Sequence, residues 1–107
     1  MLTYIPVIPA RERIDRGEPL NLLGGVANDG GAVAVEVRVW GRVDAEWAEL
    51  ASQRVQLLPG EHRHLYFTLP PECFSAARWG EEIEDIELRM DDRTPKPGDR
   101  GIIVFVG

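Results

Sequence analysis

Cysteine occurs once in this 107-residue chain, at position 73, and lysine once, at position 96. A lone Cys73 excludes an internal disulfide and any multi-cysteine zinc site. Removing Lys96 from the 12 basic residues leaves eleven arginines, and they are scattered. No basic cluster is therefore available to neutralise phosphates, and nucleic acid is not an expected partner. A formal charge of −6 disfavours anionic membrane surfaces in the same way. Long apolar runs are missing too: the longest, Gly101 to Val106, is strand length, whereas a membrane helix needs about 20 residues. Serine and threonine are few, with only Ser52, Thr68, Ser75 and Thr94 beyond the N-terminal strand. No nucleophile elbow, phosphate loop or dinucleotide fingerprint occurs, so catalysis is not expected. The N-terminal MLTYIPVIPARER has no basic region before an apolar stretch and carries Pro6 and Pro9, unlike a signal peptide. The compartment reads as cytoplasmic if the chain is complete and exported if a leader was removed.

What is present is a balance of 44% hydrophobic and 28% charged residues, the profile of one soluble domain over residues 1–107. Folding at this length removes roughly 65% of the unfolded chain's surface from water, enough for one core. The recurring pattern is alternation with period two, interrupted by Gly, Pro, Asn and Asp clusters, the rhythm of an all-β sandwich. Val33, Val35, Val37 and Val39 share one face of a strand over Val33 to Gly41, with Glu36, Arg38 and Trp40 on the other. Leu65, Phe67 and Leu69 oppose His62, His64, Tyr66 and Thr68 in the same manner. In Leu20 to Asn28, Gly24 and Gly25 mark a bulge or close packing.

Ile86, Leu88 and Met90 form a further apolar face, and GIIVFVG is apolar on both faces, which suits the middle of a sheet. Leu2 to Ile8 reads as a strand whose prolines confine it to an edge, and Trp47 to Leu57 as one or two shorter strands. Turns are expected at Asp15 to Pro19, Asn28 to Gly31 and Leu58 to Glu61, whose residues tolerate φ > 0, with a longer link at Thr94 to Asp99. Pro70 to Gly80 breaks the rhythm and predicts a short helical crossover between sheets.

The run GEPLNLLGGVANDGGAVAVEVRVWG, followed by QLLPGEHRHLYFTL, resembles the bacterial immunoglobulin-like modules of the cell-adhesion-related (CARDB-like) type, which are similar to fibronectin III domains. The shared pattern is carried by Gly17 and Glu18; by Leu20, Leu22, Gly24 and Val26; by Asn28 and Gly30; by Val33 to Val39; and by Leu57, Pro59, Gly60 and Glu61. It spans Gly17 to Leu69. Asp91 and Asp92 fit a further feature of such modules, whereas PKPGDRGIIVFVG lacks their final asparagines and Pro70 to Gly80 exceeds their short link. The resemblance implies a seven-stranded spacer, adhesion or interaction module within larger exported proteins, without catalytic residues.

Four groups of side chains are candidate sites. His62 and His64 project from one face and can share a metal only with a further ligand that no spacing nominates; a solvated polar face is the simpler reading. Glu81, Glu82, Glu84, Asp85, Glu87, Asp91 and Asp92 are hard oxygen donors within twelve residues, open to calcium or to a partner, or else charges that discourage edge pairing. Trp40 and Trp47, with Tyr66, make either an exposed aromatic face for a protein or a sugar, or tryptophans covered by the N-terminal strand or by Pro70 to Gly80. Cys73, beside Phe74, reads as a small buried hydrophobe.

The expectation is thus an all-β, immunoglobulin-like Greek-key sandwich of about seven antiparallel strands with one helical crossover. Its expected role is a non-catalytic protein-interaction or scaffolding module that meets a protein partner or a neighbouring domain, with no cofactor. Carbohydrate binding through Trp40, Trp47 and Tyr66 is the alternative, and calcium binding a further one. Residues 81–92 hold seven acids and Arg89, a local sum of 1 − 7 = −6 that equals the whole imbalance, so they define an acidic patch where a partner is expected.

Overall fold

Valine alternation does what the period predicts: in β4 (Val33–Arg42) Val37 and Val39 are fully buried while Arg38, Trp40 and Arg42 point the other way. The computed structural model describes residues 1–107. The remaining strands are β1 (Leu2–Pro9), β2 (Arg13–Ile14), β3 (Leu20–Asn28), β5 (Trp47–Leu57), β6 (His62–Leu69), β7 (Asp85–Asp91) and β8 (Ile102–Val106). A 3-10 turn (Pro71–Phe74) and the single-turn helix α1 (Ala76–Trp79) carry the chain from β6 to β7. The protein is all-β, in two sheets: a smaller one ordered β1-β3-β6 and a larger one ordered β2-β8-β7-β4-β5.

Alternation on facing strands buries one side of each sheet. Leu20, Leu22 and Val26 of β3 and Leu65, Phe67 and Leu69 of β6 meet Val37, Val39, Ile86, Leu88, Met90 and Val104 of the larger sheet in one cluster of 20 buried apolar residues. The crossover closes one end by burying Phe74 and Cys73. It joins a strand of the smaller sheet to one of the larger, as expected of a crossover between sheets.

Three details differ from expectation. Eight strands form, not about seven, because the N-terminal segment splits: β1 joins the smaller sheet, and β2 pairs with β8 in parallel. Trp47 to Leu57 is one continuous strand, the longest at 11 residues. A register shift opposite Val39 and Trp40 lets β5 absorb an extra residue and stay paired with β4 throughout. Among the expected turns, only the one at Gly60 uses a positive φ (74°). The Asn28 turn is instead held by its side chain, which donates to the carbonyls of Gly31 and Leu58 and accepts from the Gly30 N–H.

β1 does lie at a sheet edge, with its register shift between Ile5 and Ile8 where Pro6 cannot donate. β8 lies between β2 and β7, the interior position its double-sided apolar pattern predicts.

Candidate interaction faces

The outer face of the larger sheet collects Trp40, Trp47, Asp85, Glu87 and Asp91 from among the candidate residues. In cross-strand register, Trp40 stands between Glu49 and Arg89, and Arg42 between Trp47 and Glu87. The Arg42 guanidinium lies 4.4 Å from the Trp47 ring centroid and donates to Glu87 at 2.7 Å. The same group reaches the carbonyls of Pro97 and Asp99, while Arg38 donates to Asp92 O and Arg89 to Arg100 O. Arginines thus tie the loop between β7 and β8 to this face, where Pro95 is buried.

Both Trp40 and Trp47 are half-buried, with each Nε1 enclosed and without a hydrogen-bond partner. They share this face with residues 92–101, whose Pro97 and Asp99 carbonyls are reached by the Arg42 that packs on Trp47. Tyr66 is exposed, but on the outer face of the other sheet, so Trp40, Trp47 and Tyr66 do not form one aromatic face. Sequence alternation places a residue on a side of its strand; it does not say which sheet the strand joins.

The acidic stretch also disperses. Period two sends Asp85, Glu87 and Asp91 to the outer face while Ile86, Leu88 and Met90 enter the core. Six residues at ~3.3 Å rise separate Asp85 from Asp91 by about 20 Å. Glu87 is buried: its carboxylate accepts from Arg42 and from the Gly101 N–H. Burial pushes its pKa up, yet these two bonds, with the Arg42 and Arg100 charges, outweigh that and hold it below the ordinary carboxylate value. Asp91 accepts from the Asp92 and Arg93 N–H groups, and Arg89 Nε lies 3.5 Å away. Burial, then the neighbouring Asp91, raises the Asp92 carboxyl.

Glu81, Glu82 and Glu84 remain exposed ahead of β7, where Arg16 donates to the Glu81 and Ile83 carbonyls. The seven acids therefore make no single patch, and no three His, Cys, Asp or Glu side chains converge as a metal would require. His62 and His64 share the outer face of β6, as their spacing predicts, and are exposed.

Cys73 is buried, its thiol directed at the Leu50 carbonyl 3.7 Å away. Burial raises its pKa; Arg78 opposes and Glu72 adds to the rise. A partly enclosed cleft of about 70 Å³ lies between β1 and β7, and the larger concavities, of about 410 to 720 Å³, are shallow and open to solvent.

A face that sequence reasoning passed over is the outer side of the smaller sheet. Registers align Ile8 with Leu23 and Tyr66, Ile5 with Gly25 and His64, Thr3 with Ala27 and His62, and Asn21 with Thr68. None of these eleven residues is Asp, Glu, Lys or Arg. The signal was present in the alternate positions of β3 and β6, but it emerges only when three strands are laid side by side.

No family model matches the sequence, and no curated protein matches it. Solved structures do match in fold. A β-glucosidase from Erythrobacter marinus aligns with 100% of this chain at 21% identity and a TM-score of 0.79. A β-glucosidase of intestinal bacteria involved in saponin metabolism aligns over 100% at 18% identity and 0.76. The β-glucosidase of Listeria innocua, solved with isofagomine, aligns over 100% at 20% and 0.72. This chain spans only 15%, 16% and 16% of those three proteins. At such identities the likeness is one of fold. No helix of the chain is long and apolar enough to cross a membrane.

Proposed function

We propose that this chain is a non-catalytic protein-interaction or scaffolding module. One observation carries the reading: several of the side chains able to do chemistry are paired off in holding the fold, and no three His, Cys, Asp or Glu side chains converge on one point. Glu87 is fastened to Arg42, Glu49 to Arg38, Glu61 to Arg63 and Glu18 to Arg11, while Cys73 is buried. Those pairings also work against a phosphate-binding stripe. The chain order through the two sheets supports an immunoglobulin-like Greek-key plan of the fibronectin III kind, in keeping with the CARDB-like turn pattern of Gly17 to Leu69.

A second reading has one observation in its favour: β-glucosidases contain this fold as 15–16% of their length. On that reading the chain is an accessory part of a glycoside-cleaving polypeptide and acts by docking on its neighbour. Two measurements on the isolated chain test both readings. Aryl β-glucosides should be hydrolysed no faster than in buffer, and a glycan array should show no binding. Turnover would overturn the non-catalytic reading, and glycan binding abolished by Tyr66→Ala would replace docking with carbohydrate recognition.

A further inference from the structure

Aspartate followed by glycine occurs once in the chain, at Asp29 and Gly30, in the turn from β3 to β4. Such a pair is the most reactive aspartyl link in polypeptides, because glycine sets no side chain beside its backbone nitrogen and turns freely. Attack joins the Gly30 nitrogen to Asp29 Cγ and expels a carboxyl oxygen as water, with the amide proton, to leave a succinimide. Water then opens the ring at either carbonyl. Opening at Cγ restores aspartate, and opening at the backbone carbonyl gives isoaspartate, with the main chain running through the former side chain. The Asp29 side chain is 75% exposed, so water has access to the ring. Two contacts oppose the attack. The Gly30 N–H donates to Asn28 Oδ1 at 3.1 Å, and buried Asn28 is itself fixed by donating to the Gly31 and Leu58 carbonyls at 3.0 Å each. The Asp29 carboxylate pairs with the Met1 ammonium at 2.8 Å, and that hydrogen bond holds it below the ordinary value, so the neutral carboxyl that can lose water is scarcer.

We propose that the link between Asp29 and Gly30 is a site of spontaneous isomerisation, and that Asn28 restrains it in the folded chain. The Gly30 nitrogen must leave Asn28 Oδ1 before it can attack, and one ordinary hydrogen bond is worth up to about a factor of 10 in such an equilibrium. The product carries one more methylene in its main chain and the same number of carboxylates. It lengthens a turn that is held on two sides, by the Asn28 N–H on the Glu61 carbonyl at 2.9 Å and by the Asp29 N–H on the Met1 carbonyl at 3.2 Å. Isomerised chains should therefore melt at a lower temperature although their charge is unchanged.

Incubating the 107-residue chain at neutral pH in water enriched in heavy oxygen, followed by peptide mapping with mass spectrometry, tests this. Ring opening writes heavy oxygen into position 29 whichever carbonyl is attacked, and a protease that cuts before aspartate but not before isoaspartate separates the two products. Label should enter at Asp29 before any other acid, and should accumulate about 10-fold faster in Asn28→Ala than in wild type. Asn28→Ser keeps a side-chain oxygen that can accept from the Gly30 N–H and should stay nearer to wild type. Val104→Ala weakens the core in another sheet and should label as wild type does, which separates release of this turn from general loss of stability. Circular dichroism confirms that each variant is folded. Wild type in urea should label faster than native wild type, a comparison that needs no variant. Label appearing first at another acid, equal rates in the native chain and in urea, or a Val104→Ala chain as fast as Asn28→Ala overturns the proposal.

Discussion

Arg42 and Glu87, from neighbouring strands β4 and β7, meet at 2.7 Å with side chains only 10% and 11% exposed, beneath the loop that leads into β8. Glu87 also accepts from Gly101 at the end of that loop, so one carboxylate joins strand to strand and strand to loop. Removing it leaves a covered guanidinium and a loop N–H without a partner. Glu87→Ala should cost roughly 3 kcal/mol, read from the shift in urea midpoint. Arg42→Met with Glu87→Leu should recover part of that loss, because no uncompensated charge remains. The Glu87 pKa lies below its unfolded value, so the stability it contributes is present above about pH 4.3 and lost as pH falls through the folded pKa. Glu87→Gln should flatten that acid limb.

Tyr4 and Asp92 act in the opposite sense. The Tyr4 hydroxyl is enclosed without a partner, and its pKa is raised by burial first and then by the Asp92 and Asp91 charges, with Arg93 opposing. A raised folded pKa means stability that is complete below the unfolded tyrosine value, about 10, and lost as pH climbs above it. Tyr4→Phe should be stabilising by about 0.5 kcal/mol at neutral pH and should lessen the alkaline decline. Asp92 is raised as well, so its ionisation opposes folding as pH rises through its folded pKa. Asp92→Asn should therefore stabilise slightly at neutral pH and have no effect in acid, where both forms are neutral. A destabilised Asp92→Asn at pH 7 would contradict this.

Gly101 and Gly24 both sit where a methyl group meets a neighbour, but the neighbours differ in what they can yield. At Gly101 the added carbon lands on the Leu88 carbonyl, which is backbone within a paired strand. At Gly24 it meets the thioether end of Met90, 2.7 Å from sulfur, which can swing aside. Gly101→Ala should cost more than about 2 kcal/mol, and Gly24→Ala about 1 kcal/mol. Thermal melts of the two variants should rank in that order.

Cys73 and the tryptophans report on covered regions. With its thiol buried and its pKa raised, Cys73 should react with a disulfide reagent only as fast as the chain opens, and rapidly in urea. Trp79 donates to the Cys73 carbonyl at 2.6 Å, while Trp40 and Trp47 have enclosed indole nitrogens. Native fluorescence should therefore be shifted to shorter wavelength than free tryptophan and be weakly quenched by acrylamide. Prompt thiol labelling or strong quenching in the native state would show that these regions are open.

Much of the fold is legible along the chain. The alternation of Val33 to Val39 and of His62 to Leu69 names the buried side of β4 and β6, and the prolines of β1 announce an edge. The candidate sites were less legible. Residues 81–92 hold a net −6, but a strand points neighbouring side chains to opposite faces. The cation that neutralises Glu87 lies 45 residues earlier. Trp40 and Tyr66 both stand on the polar side of their strands, which says nothing of the two different sheets those strands enter.

The sequence by itself determined the all-β class, the positions of most strands and which side of each strand meets the core, because period-two alternation is local and burial of apolar area drives it. Only the tertiary structure decided which faces reach water. The loop between β7 and β8 is held to the larger sheet by arginines of β4 and β7, and the charge-free face is assembled from β1, β3 and β6, whose outward residues run from Thr3 to Thr68. Those arrangements depend on strand order and register, which arise from contacts between residues far apart in the chain.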